Sequence, residues 1–255
     1  MSAQPSSMTD AKIGVIELSD SRQTIQQVTY THSHAEISLR IPLDEEAWTL
    51  LSIHLRKLDA VMLLGKSDQK TAMAAQEIAR FSKNTQRVPL VSVVTDREPS
   101  AFITTRADSP VDFWLIAADI NEGRTFALAM WAVLIQEPLM YNMDFTDIVS
   151  TARKMRTGFP VFIPASPDEE KTLQAIENHL SLAGSAAALC AIHTQEDDGP
   201  SLSFFSNIGD AIAPWVSDCI EISVTKGLLL QSGIYLIAGP RGIHRDSSMV
   251  GDMLS

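Results

Sequence analysis

The sequence predicts an α/β chain on a mostly parallel sheet, and three observations carry that expectation. Asp59 to Leu64 and Val88 to Val94 are apolar, strand-like runs separated by a helical segment from about Gln69 to Ser82. Strand, helix, strand at that spacing is a βαβ unit, whose two strands pair in parallel. Asn121 to Ile135 is mostly apolar, as expected of a central helix buried in the molecule, and ends before Pro138. From Gly158 onward, strand-like and helix-like segments alternate again.

Taken in order, Lys12 to Leu18 reads as a strand, and Glu36 to Ile41 alternates like a half-buried one. Between them THSH places His32 and His34 on one face; without a third ligand nearby, an exposed strand or turn is the simpler reading than a metal site. Asp44, Glu45 and Glu46 put negative charge at the start of a helix reaching about Lys57, with Trp48, Leu51 and Leu55 on one stripe. Residues 96–112 are polar and turn-rich, and Phe113 to Ala118 is short and strand-like. Thr146 to Met155 is a helix, and Gly158 to Pro164 is a strand. Ser166-Pro167-Asp168-Glu169 has the form of a capping box opening a helix that carries Leu173, Ile176 and Leu180. Strand Ala186 to His193, a helix from about Leu202 to Trp215, and strands Cys219 to Val224 and Ile234 to Ala238 follow.

Composition narrows the function. With 20 Lys+Arg against 31 Asp+Glu the formal net charge is −11, which opposes attraction to nucleic-acid phosphates and anionic lipid headgroups. No run approaches the ~18 apolar residues of a membrane span, and the first residues lack a signal-peptide pattern, so a cytoplasmic protein without membrane insertion is expected. Cys190 and Cys219 lie in apolar strand-like runs and read as core residues. His54, His179, His193 and His244 are scattered, and no Ser, Cys or Asp stands in a nucleophile motif beside them. Asp197-Asp198 and Glu169-Glu170 are most simply solvated charges. Gly65-Lys66-Ser67 lacks the preceding glycine of a P-loop because position 60 is Ala.

The segment Asn142-Met143-Asp144-Phe145-Thr146-Asp147 stands out: an amide and two carboxylates opening into a helix behind the apolar central one. NMDFTD resembles the synergy loop of the bacterial tubulin FtsZ, N-x-D-F-x-D, and YLIAGPRG resembles that family's closing strand. The order of elements after Asn142 is also that of the second half of the FtsZ/tubulin fold. The resemblance covers most of residues 59–242, more closely from about 120 onward. It implies a loop that reaches into the nucleotide site of a neighbouring subunit, where its acidic groups position the attacking water. The contact residues it implies are Asn142, Asp144, Phe145 and Asp147. A local account stands beside it: Asp144 caps the next helix, Asp147 favours its positive end, and Phe145 anchors the loop.

The nucleotide half departs from the pattern. Where the family carries G-G-G-T-G-T-G, this chain has Ser67-Asp68-Gln69-Lys70-Thr71-Ala72-Met73, and the turn after the first strand, Ser19-Asp20-Ser21-Arg22, has no glycine either. Those glycines let backbone N–H groups close on phosphates with no Cβ in the way. Three strained positions at ~1–2 kcal/mol each weaken binding by ~10³–10⁴-fold. The expected organisation is a trimmed tubulin/FtsZ-like fold: a flexible arm (1–10), a degenerate nucleotide-binding-like subdomain (11–118), a central helix with the synergy-like loop (119–145), a mixed-sheet C-terminal subdomain (146–242) and a short tail (243–255). The expected function is non-catalytic and without cofactor, a monomer or small oligomer that meets or caps an FtsZ-type filament. The alternatives are a divergent GTPase, for which GTP would be the cofactor, and an unrelated Rossmann-like binding module.

Overall fold

A computed structural model describes residues 12–20, 27–30, 34–86, 88–96, 109–135, 144–166, 168–183, 185–194, 201–226 and 231–239. Their strands are β1 (Ile13–Ser19), β2 (Gln27–Tyr30), β3 (His34–Arg40), β4 (Ala60–Leu64), β5 (Leu90–Thr95), β6 (Phe113–Ile116), β7 (Thr157–Pro164), β8 (Ser185–Thr194), β9 (Val216–Lys226) and β10 (Gly233–Ala238). The helices are α1 (Glu45–His54), α2 (Gln69–Phe81), α3 (Ile120–Ile135), α4 (Phe145–Met155), α5 (Glu169–Ala183) and α6 (Leu202–Ile212). Short 3₁₀ turns extend α1 and α6, and a π turn, Ser82–Gln86, extends α2.

These strands form one sheet in the order β2-β3-β1-β4-β5-β6-β7-β10-β8-β9. From β3 to β7 every neighbour is parallel, as the βαβ spacing predicts. Antiparallel pairing enters at β2 with β3 and at β10, which lies between β7 and β8. The mixed C-terminal part therefore continues the parallel sheet, through Trp114 beside Thr157 and Leu115 beside Gly158. Strand β2 is an addition to the sequence reading. Seven residues separate β1 from β2, too few for a helical crossover, so the chain can only step over one strand and return antiparallel.

Burial follows the faces. β4 is buried along its whole length, which fits a strand covered on both sides. Helices α1 and α2 cover one face of the parallel half, with Leu51, Leu55, Ala75, Ile78 and Ala79 fully buried against Ile16, Val61 and Leu63. Trp48 and Phe81 meet edge to face across the two helices. Helices α3 and α4 lie over the middle of the other face, where Phe126, Ala129, Met130, Ile148 and Met155 join residues of β1, β4 and β5 to Leu189, Tyr235 and Ile237. Helices α5 and α6 cover the remaining face of β7 to β9 through Ile176, Leu180, Ile208 and Ile212. One pair of helices thus spans both halves of the sheet.

One sequence expectation changes. The start of α5 is capped by Asp168, whose carboxylate accepts from Lys171 N–H at 3.2 Å, and not by Ser166, whose hydroxyl accepts from Asp168 N–H at 3.1 Å. The cap moved two residues because an aspartate directly before the first helical residue reaches the first-turn donors. His32 lies outside the described residues, so the expected His32–His34 face stays with the sequence. Cys190 is fully buried, and burial pushes its thiol up to about 12.

Candidate functional site

Helix α4 begins where the sequence places the loop. Asp144 is extended (φ −81°, ψ 168°) and its carboxylate accepts from Asp147 N–H at 2.8 Å, while the Asp147 carboxylate accepts from Asp144 N–H at 3.1 Å. This is a reciprocal capping box, and it uses one oxygen of each carboxylate. Sequence reasoning gives Asp147 only the helix field or a partner; the structure adds a backbone donor. Phe145 is half-buried against the core under α3 and α4. Ile148, Val149, Ala152 and Met155 bury the inner face of α4. Asn142 lies outside the described residues, so the structure brings together Asp144, Phe145 and Asp147 of the four.

The segment Ser67 to Met73 is the β4–α2 turn and the first turn of α2. Four of its backbone donors are occupied by the protein itself. Ser67 N–H donates to the Asp96 carboxylate at 2.6 Å, Asp68 N–H to the Lys66 carbonyl at 2.8 Å, and Thr71 N–H to the Asp68 carboxylate at 2.8 Å. Ala72 N–H then enters the helix ladder on the Asp68 carbonyl. The one glycine beside this turn, Gly65, is tight for a different reason: a Cβ there would overlap the Thr71 methyl. The start of α3, at the same end of the sheet, is closed in the same way. Asp119 accepts from Glu122 N–H at 2.9 Å, and the Glu122 carboxylate accepts from Ala118 N–H at 2.5 Å. Two helix N-termini, each carrying about half a positive charge, therefore face carboxylates of this chain. Asp96 leaves no local signal in the sequence because it acts on a turn 29 residues away, whereas Asp119 and Glu122 are only three residues apart, a capping pattern that the sequence carries at the start of α3. Of the second turn without glycine, Ser19 closes β1 and its carbonyl accepts from Ile41 N–H, Asp20 follows it, and Ser21 and Arg22 lie outside the described residues.

His193 is buried, with Nε2 3.1 Å from the Ala129 carbonyl and Nδ1 3.0 Å from the Thr225 hydroxyl. The neutral ring donates from Nε2 and accepts at Nδ1, which satisfies both partners. Burial holds its imidazole below the usual histidine value, with the Ala129 carbonyl acting in the opposite direction. It forms part of the wall of a cleft of about 480 Å³ that also includes Glu169, Thr172 and Phe204, but with both ring nitrogens engaged it is not placed for proton transfer. Among the described residues no group of three His, Cys, Asp or Glu could hold a metal ion, and no helix is long and apolar enough to cross a membrane.

No protein-family model matches the chain, and no curated protein matches it. Solved structures do. CetZ from Methanosaeta thermophila superposes with a TM-score of 0.54 at 12% identity, covering 76% of this chain and 65% of that one. CetZ2 from Haloferax volcanii, in a GTPγS-bound protofilament, superposes with a TM-score of 0.51 at 14% identity, covering 76% of this chain and 69% of that one. The chain thus spans about two thirds of the length of these relatives. At such identities the likeness is one of architecture, and with the parallel sheet, the spanning helix α3 and the capped start of α4 it identifies a divergent tubulin/FtsZ-like fold.

Proposed function

We propose that this chain is a non-catalytic, nucleotide-independent protein of tubulin/FtsZ-like fold that acts through protein–protein contact, meeting an FtsZ-type filament through the loop Asn142 to Asp147. The observation that carries the proposal is the closed start of α2. A phosphate there would have to displace the Asp96 and Asp68 carboxylates from Ser67 N–H and Thr71 N–H. It would also meet their charge, and two like charges 4 Å apart repel by about 1 kcal/mol even in water and by several times more near a protein surface. The missing glycines act in the same direction.

CetZ2 assembles as a GTPγS-bound protofilament. A head-to-tail polymer needs two complementary surfaces on every subunit. On this reading the chain offers the loop surface, while the Asp96 and Asp68 carboxylates take backbone donors that a phosphate would need. A protein with one competent end adds to a filament and stops it.

The test is calorimetric titration of the full chain with GTP and magnesium. No heat of binding is expected up to millimolar nucleotide. A micromolar dissociation constant would overturn the proposal in favour of a divergent GTPase.

A further inference from the structure

Strand edges in this sheet are not all protected alike. Strand β2, at one end, is four residues long, and the stretch of β7 beyond Gly158, where pairing with β6 stops, carries Pro160 and Pro164. Short strands and prolines both keep an edge from pairing with another chain. Strand β9 has neither device. It is the longest described strand, Val216–Lys226, it stands last in the sheet, and among the described residues it pairs with β8 alone, in parallel. Its run from Cys219 to Thr225 contains no proline and one charged residue, Glu221. Such an edge is a template for a further strand.

The surface beside this edge is apolar. Helix α6 lies over β9, close enough that a Cβ at Gly209 would stand 3.8 Å from Ile222 Cδ1. Of the sixteen residues from Leu202 to Ser217 only Asp210 is charged, in a chain that is 20% charged. Leu202 is 72% exposed, and Phe204, Phe205, Trp215, Ile220 and Ile222 are only partly buried against the core. Aromatic residues and a lack of charge distinguish the centre of a protein–protein contact from the rest of a surface.

We infer that β9 pairs antiparallel with β9 of a second copy of this chain, about a two-fold axis at Ile222, so that two sheets join into one. In a two-fold pair each residue meets the residue that stands equally far on the other side of the axis. Asp218 and Lys226 stand four residues to either side of Ile222. Asp218 of each copy therefore lies opposite Lys226 of the other, twice in the dimer, and opposite charges across a strand pair attract. Ile220 then meets Val224, and Ile222 meets itself. An axis one residue earlier would set Glu221 against Glu221, like charges directly opposite, and an axis one residue later would leave Asp218 and Lys226 with no charge opposite them. The strand is thus complementary to itself in one register. The inference is separate from the loop reading, since it requires neither a filament nor the start of α4.

The experiment is sedimentation equilibrium of the full chain from low micromolar to submillimolar concentration. The wild type is expected to reach twice the mass of one chain within that range. Asp218→Lys and Lys226→Asp each set like charges opposite one another at both ends of the strand pair, and each should weaken the dimer by roughly five- to thirtyfold. The double variant Asp218→Lys/Lys226→Asp restores opposite charges and should return to the wild-type dissociation constant, a rescue that a merely structural role for either residue would not give. Glu77→Lys makes the same charge change as Asp218→Lys on α2, in the parallel half, and should associate as the wild type does. The inference is overturned if the wild type stays a monomer throughout, if both single variants dimerise as the wild type does, or if the double variant is as weak as the single ones. It is also overturned if Glu77→Lys weakens the dimer as much as Asp218→Lys.

Discussion

The smallest unit that decides anything in this molecule is a carboxylate choosing between the backbone and a partner. Asp144 and Asp147 satisfy each other's backbone donors, so each has a structural role whatever else the loop does. Asp144→Ala and Asp147→Ala are each expected to cost about 1 kcal/mol, and the double variant less than the sum, since the two bonds form one box. Urea denaturation of the three variants measures this; a fully additive double variant would mean that the bonds are independent. His193 is the residue-scale probe of pH. Its folded value lies below the ordinary 6.5, so below that pH the unfolded chain takes up a proton that the folded chain resists. Its contribution to stability is therefore present in full above 6.5 and falls as the pH drops below it. His193→Gln keeps a donor for the Ala129 carbonyl and should flatten the fall in melting temperature between about pH 6.5 and 5. An unchanged slope would assign that fall to carboxylates alone.

At the scale of elements, helix starts are set by aspartate or serine and helix packing by small residues. Asp44, Asp68, Asp144 and Ser201 cap α1, α2, α4 and α6, and all four side chains accept from a first-turn backbone N–H. Alanines dominate the buried face of α2, which brings its backbone close to the sheet. Gly123 does the same for α3: a Cβ there would overlap the Val94 side chain and come within 3.0 Å of the Ala117 Cβ. Glycine to alanine inside a helix usually gains about 1 kcal/mol. Here the gain is outweighed, because Val94 is held in β5 between two packed faces, and Gly123→Ala is expected to destabilise by a net of about 1–2 kcal/mol. A raised denaturation midpoint for this variant would show that α3 can move away from β5. The two prolines of β7, Pro160 and Pro164, fall beyond Gly158, the last residue that β6 pairs, along an edge where no ladder donor is required.

At the scale of the whole molecule, one apolar core runs under α3 and α4 through both halves of the sheet, and Asp112, bonded to Arg153 and Val91, ties α4 to β5. The halves are built to move together. Capping a filament requires one open end and one closed end on the same body. Mixed with a GTP-assembled FtsZ-type filament from the same organism, the protein should pellet with the polymer and shorten it, while alone it stays a monomer or small oligomer in light scattering with or without GTP. Nucleotide-dependent filaments of this chain alone would contradict it.

The sequence by itself determined the order and type of most elements. Hydrophobic period and turn chemistry are local, and the αβ alternation left a parallel sheet as the natural solution for β4, α2 and β5. It also determined where the Asp144 to Asp147 helix start and the Ser67 to Met73 turn would lie, because both are contiguous strings of residues. It did not reveal β2, whose four residues QVTY form a strand only because β3 lies beside them. Nor did it reveal Asp96 on Ser67, Asp112 between Lys83 and Arg153, or His193 between Ala129 and Thr225. These partners stand 29 to 64 residues apart, and no periodicity links them. Only the tertiary structure decided which carboxylate accepts from Ser67 N–H, because a hydrogen bond depends on distance in space and the chain order of its two ends leaves that distance open.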